Sequence, residues 1–136
     1  MTAFNPQPKT CNLCGGPVVY VTNDKIYHGK KYGSGFAYLC TKCRAYTGTH
    51  VPRPREALGI LANAEMRNLK MQCHAIFDPI WIPAKHYRRD ARRNAYARLA
   101  KAMNISVKDC HFGHFDKPQL QKALSILKDW QKEARE

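Results

Sequence analysis

The pattern of apolar and polar positions changes character near residue 50. Before it, short apolar runs are separated by turn residues. Val18 to Val21, Phe36 to Leu39 and Ala45 to Thr47 read as three brief strands, with a turn signal at Asn23-Asp24 and a Gly-bounded loop, Gly29 to Gly35, carrying Lys30, Lys31 and Tyr32. Residues 1–10 are polar and proline-containing and read as a loose tail. The segment Val51-Pro52-Arg53-Pro54-Arg55 is expected to be a stiff connector, because each proline holds its predecessor extended. Beyond it the period becomes helical. Met66, Leu69, Cys73, Ile76 and Phe77 predict a helix from Asn63 to Phe77, ended by Asp78-Pro79, with Ile80 to Pro83 in an irregular turn. Asp90 is the expected N-cap of a second helix running to Met103, with Ala91, Ala95, Tyr96, Leu99 and Met103 on its apolar stripe. A third begins at Asp116, where Asp-x-x-Gln119 forms a capping box. Leu120, Leu124, Leu127 and Trp130 mark its buried face.

Four cysteines give the first half its chemistry. Cys11/Cys14 and Cys40/Cys43 are two Cys-x-x-Cys pairs, separated by 25 residues that leave room for a hairpin. Together they supply the four thiolates of a closed, tetrahedral, structural zinc site, with no position left for water or substrate. Gly15 and Gly16 are available for positive φ beside the metal. His50 is a conceivable substitute ligand, but four thiolates already complete the tetrahedron. The opening MTAFNPQPKT has no apolar signal core and no stretch is long enough to span a membrane, so a reducing setting and metal rather than disulfides are expected. A module of this size cannot stand on apolar burial alone, and the metal supplies much of its folding free energy.

Charge then widens the picture. Lys and Arg total 23 against 10 Asp and Glu, a formal charge of +13. A dication on four thiolates lowers this to about +11. The partner expected from such a balance is a polyanion: nucleic acid, a nucleoprotein or an acidic protein face. The excess is densest from Lys85 to Lys101, where Lys85, Arg88, Arg89, Arg92, Arg93, Arg98 and Lys101 stand against Asp90 alone. Tyr87 and Tyr96 are interleaved there, and such a face can neutralise phosphates and stack on bases. The competing reading is a solvated helix face.

Three further patterns bear on function. Leu99 to Cys110 has the residue order of a helix-turn-helix, and equally of a generic αα-corner. Cys73-His74 and Cys110-His111, with His114, raise the question of a second metal. Asp78, His74, His111 and Asp116 are the one group to test as a nuclease site, although a packed histidine cluster accounts for the same residues. The other carboxylates are scattered, and phosphate-cradling glycine loops, a Ser-His-Asp order and dinucleotide fingerprints are missing. An enzyme and a small-molecule substrate are therefore not expected.

Several motifs recur in the order of a known family. They are Cys11-x-x-Cys14-Gly15, Tyr27 to Gly35, Cys40-x-x-Cys43-x-Ala45-Tyr46 and Leu58-Gly59-x-Leu61-Ala62. Further on come His74-Ala75-x-Phe77-Asp78-Pro79-x-Trp81, Tyr96-x-x-Leu99-Ala100 and Cys110-His111-Phe112-Gly113-x-Phe115-Asp116. Over nearly its whole length the chain resembles the bacterial and phage zinc-finger-containing domain family, whose function is unknown and whose pattern has Gly where this chain has Asn104. The resemblance implies a phage or prophage origin, hence the bacterial host cytoplasm, and a small regulator or counter-defence protein acting on a host nuclease. The combined expectation is an α+β protein. A zinc ribbon over residues 1–50 would pack on a basic three-helix region, 51–136, that binds nucleic acid or a nucleoprotein without catalysis.

Overall fold

A computed structural model of the chain describes residues 4–84 and 86–135. The fold is α+β. Strands β1 (Val18–Thr22), β2 (Phe36–Cys40) and β3 (Tyr46–Gly48) are followed by helices α1 (Ala64–Trp81), α2 (Arg88–Met103) and α3 (Lys117–Arg135). Residue contacts divide the chain into two compact units, with the boundary between Glu65 and Met66.

In the first unit the strands form one antiparallel sheet, order β1-β2-β3. Val18 pairs with Cys40 and Thr22 with Phe36, while Ala37 pairs with Gly48 and Leu39 with Tyr46. β2 is the central strand, and Ala37 to Cys40 are buried on both of its faces. Tyr20 lies opposite Tyr38 and stacks on Phe36 at 5.2 Å, the cross-strand aromatic contacts that fix register. The β1–β2 loop closes around buried Asn23. Its side-chain amide donates to the Tyr32 carbonyl (2.7 Å) and accepts from the Tyr32 amide (3.2 Å), so it replaces a missing strand pair.

The Pro-Arg segment does not lead away from this sheet. The Tyr20 and Tyr38 hydroxyls donate to the carbonyls of Pro54 and Arg55, both at 2.6 Å. The chain then returns to β3 through bridges Thr49↔Ala57 and Tyr46↔Ala62. Ala57 and Leu61 enter the core with Cys11, Tyr38, Cys40 and Ala45. The contact boundary therefore lies after residue 65, whereas the composition break that suggested 50/51 is a loop within the unit. This cluster is two alanines, two cysteines, Leu61 and Tyr38, with Phe4, Val18 and Tyr20 partly buried against it, a small core for which the metal supplies much of the folding free energy.

The second unit has an apolar interior of its own, including Phe77, Leu99, Phe112, Phe115, Leu120 and Leu127. Phe77 contacts Tyr96 at 4.6 Å and Phe112 at 5.2 Å. Helix boundaries differ from the sequence reading at two points. α1 runs through Pro79 to Trp81, and the Ile82 amide still bonds the Asp78 carbonyl (3.0 Å). Pro79 cannot donate to the Ala75 carbonyl and its ring crowds it, yet the helix continues two residues further to Trp81. α2 starts at Arg88 with Tyr87 as N-cap, and no side chain caps it. Asp90 sits in the first turn, where its charge suits the helix dipole, and pairs with Arg93.

The Asp116–Gln119 capping box forms as expected, with both reciprocal bonds at 3.0 Å. α2 ends at Asn104, held in the left-handed region (φ 59°). The Ile105 amide reaches the Ala100 carbonyl (3.0 Å) and the Asn104 amide the Lys101 carbonyl (3.1 Å), a Schellman closure. Two short 3-10 turns, Val107–Asp109 and Phe112–His114, then lead to α3. The segment after α2 thus supplies no recognition helix, and the helix-turn-helix reading of Leu99 to Cys110 gives way to the corner.

Candidate metal centre and basic helix

Cys11 to Cys14 and Cys40 to Cys43 are the same tight turn made twice. In each, the first cysteine's carbonyl accepts from the residue four later: Gly15 at 3.0 Å, Arg44 at 3.1 Å. In each, the first cysteine's amide donates to the residue five later: Gly16 at 2.8 Å, Ala45 at 2.9 Å. The residue after the second cysteine is left-handed in both, Gly15 at φ 77° and Arg44 at φ 70°. Gly16 is required for a different reason. A Cβ there would lie 2.7 Å from Lys42 Cβ and 3.2 Å from the sulfurs of Cys14 and Cys40. Asn12, inside the first turn, clamps it to the returning segment. Its amide bonds the Leu61 carbonyl (3.0 Å) and its oxygen accepts from the Leu61 amide (2.9 Å).

The four sulfurs converge to within 4.8 Å of one another. Cys11 Sγ is 3.7 Å from Cys43 Sγ, and Cys14 Sγ is 3.5 Å from Cys40 Sγ. These separations are far above a disulfide length. They approach the ~3.8 Å edge of a tetrahedron with ~2.3 Å zinc–sulfur bonds. Each turn aims backbone amides at sulfur: Leu13 at Cys11 (3.3 Å), Gly16 at Cys14 (3.4 Å), and Lys42 and Cys43 at Cys40 (both 3.4 Å).

Those amides set the electrostatics. The Cys43 amide, with that of Lys42, outweighs burial and pulls Cys40 down to about 6. At Cys43 the Ala45 amide favours the thiolate, but burial and the neighbouring sulfurs of Cys14, Cys11 and Cys40 push it up to about 12. Four thiolates this close repel one another unless a cation sits between them, and a divalent metal reverses that balance. The donor set and geometry fit one zinc ion, closed and structural. His50 stands apart, its amide donating to the Glu56 carbonyl (3.0 Å).

Among the described residues, the cysteine group is where three or more metal-ligating side chains bring their ligand atoms together. The histidines are engaged otherwise. His74 pairs with Asp78 (3.2 Å) and packs edge-on against Phe112 (4.8 Å). His111 and His114 rings lie 5.1 Å apart. Burial, then the neighbouring His111, hold His114 below the usual histidine value, against Asp109. Cys73 donates to the Leu120 carbonyl (3.7 Å), and burial pushes both Cys73 and Cys110 up to about 11, so they stay neutral thiols.

Lys85 lies outside the described residues. Arg88, Arg89, Arg92, Arg93, Arg98 and Lys101 are all on α2 and exposed. They are not equivalent. Arg92 stands over two rings, Tyr96 at 4.8 Å and Trp81 at 5.7 Å. Arg88 donates to the Ile82 carbonyl (2.7 Å). Arg98 is turned onto α3, over Trp130 at 3.9 Å and near Glu133 at 3.8 Å. Arg89 and Lys101 have no ion-pair partner among the described residues. The two tryptophan platforms were not visible in the sequence, since no short spacing links Trp81 to Arg92 or Arg98 to Trp130.

A family model described as a zinc-finger-containing domain matches residues 7–130, and the chain belongs to that family. No curated protein and no solved structure matches it. No helix among the described residues is long and apolar enough to cross a membrane.

Proposed function

We propose that this zinc-binding, zinc-finger-containing protein is a non-enzymatic binder of nucleic acid or nucleoprotein, with α2 as its main contact. The observation that carries the reading is Arg92 over Trp81 and Tyr96 on an acid-poor, exposed helix. A guanidinium held over two rings is already positioned and loses little freedom when a phosphate arrives. Arg89 and Lys101 add charge that no described carboxylate offsets, while Arg88 holds the turn before α2. The zinc ion holds the first unit together and takes no part in a reaction.

The test is binding without chemistry. Labelled DNA or RNA should bind with affinity that falls steeply with salt. No nicking should appear with magnesium, manganese or zinc added. Metal-dependent cleavage lost in His111→Ala would replace this reading with a nuclease using His74 and His111.

A second reading has one observation in its favour: Arg93 and Arg98 already pair with Asp90 and Glu133, so carboxylates suit this helix. A phage-encoded inhibitor of a host nuclease would use the same side chains against an acidic protein face. Capture of a bacterial protein that survives nuclease treatment, with no affinity for free nucleic acid, would select it.

A further inference from the structure

The β1–β2 loop carries a feature that α2 does not explain. In the first unit a cavity of about 190 Å³ is walled by Tyr27, Tyr32 and Phe36, with Asn23, Ser34 and Thr49 among its polar lining. This is below the ~300–1,000 Å³ that encloses a drug-sized ligand, and it suits one flat ring. The Ser34 and Thr49 hydroxyls are bonded to each other there, and the Ser34 hydroxyl also donates to the Phe36 carbonyl (3.3 Å) and accepts from the Phe36 amide (3.2 Å). Tyr32 is 56 % exposed and stands edge-on to Tyr27 at 5.1 Å, so one of its faces is open. The backbone beneath it is fixed by the two Asn23 bonds and by the Gly35 amide to the Tyr32 carbonyl (2.9 Å). The same loop presents Lys25, Lys30 and Lys31 to solvent, with Asp24 as its single acid.

We propose that this cavity receives one unpaired base of a single-stranded nucleic acid, stacked on Tyr32, with Lys30 and Lys31 on the flanking phosphates. The inference rests on the nucleic-acid reading and deepens it: α2 supplies charge, and the loop supplies a contact that only an unstacked base can make. The lysines next to Tyr32 in the chain select a strand over a free base, because a neutral ring has no use for neighbouring cations. The lining makes no unique hydrogen-bond pattern, so the site tolerates any base.

The ligand can be altered while the protein stays intact. Fluorescence anisotropy would compare a short thymidine oligonucleotide, its ribo counterpart, and an abasic strand of the same length and charge. Wild-type protein should bind the abasic strand about 5- to 150-fold more weakly than a base-bearing one, the range for loss of one stacked base. Tyr32→Ala should erase that difference, and Tyr32→Phe should keep it. Lys30→Ala with Lys31→Ala should reduce the salt slope by about 0.7 per lysine. Equal binding of abasic and base-bearing strands, or a preference that survives Tyr32→Ala, overturns the pocket while salt-dependent binding by α2 stands. Failure of every strand to bind overturns the nucleic-acid reading itself.

Discussion

Exchanging residues between equivalent positions of the two cysteine turns should change stability in opposite directions. Gly15 and Arg44 occupy the same left-handed position, at φ 77° and 70°. A side chain there costs about 1–2 kcal/mol relative to glycine. Glycine in turn loses about 0.5–1 kcal/mol more backbone entropy on folding. Arg44→Gly should therefore stabilise by about 0.5–1 kcal/mol, since Arg44 is exposed and gives up little packing. Gly15→Ala should destabilise by a similar amount through φ alone, because nothing lies within 4 Å of its added Cβ. Gly16→Ala differs in kind. Its Cβ meets Lys42 Cβ at 2.7 Å and two zinc-binding sulfurs at 3.2 Å, so the turns must part. Overpacking of this sort costs ~1–3 kcal/mol, which should appear as roughly 5- to 150-fold weaker zinc binding. Thermal melts of the zinc-loaded protein read the first pair, with Arg44→Gly raising Tm by about 2–6 °C. Competition with a chromophoric chelator reads Gly16→Ala. A destabilising Arg44→Gly, or a Gly16→Ala variant holding zinc as tightly as wild type, would refute the argument.

The separate cores of the two units give further expectations. Elemental analysis should find one zinc per chain. Cys40→Ser, or a strong chelator, should unfold the sheet unit while far-ultraviolet circular dichroism keeps most of its helical signal; an intact sheet in Cys40→Ser would contradict the metal's role. His114 should make stability pH-dependent. Burial lowers its folded-state value below that of the unfolded chain, so its contribution is present above the unfolded pKa of about 6.5 and is lost as pH falls through the lower folded value. Denaturant melts should show that loss in wild type and a flatter profile in His114→Gln.

Much of this architecture is legible in the sequence because its signals are local. The paired cysteines, the short apolar runs around Tyr20 and Tyr38, and the Asp116–Gln119 box each lie within a few residues. What escaped depends on distant partners. Residues 56–62 show no strand or helix period of their own, and what ties them to the sheet is Asn12, 49 residues from Leu61. Pro79 reads as a stop because a missing donor and a crowded carbonyl are local costs, yet the helix runs on to Trp81. Asp90 reads as a cap, but the helix begins two residues earlier and uses it against Arg93. Arg44 gives no sign of its left-handed backbone, which the cysteine turn imposes. The α2 charge run is plain in the sequence, but which arginines are free for a partner depends on rings and carboxylates that only the fold brings near.

The salt dependence of nucleic-acid affinity in the Arg89→Ala, Arg92→Ala, Lys101→Ala triple variant, which removes the α2 cations left available to a partner, tests the functional account most directly. Each phosphate contact on a duplex contributes ~0.9 to the slope of log affinity against log salt. With the zinc site intact and the helical signal unchanged, affinity should fall at every salt concentration, and the slope should flatten by up to about 2.7. Unchanged affinity and an unchanged slope in a folded, zinc-loaded triple variant would show that the basic run on α2 is only a solvated helix face.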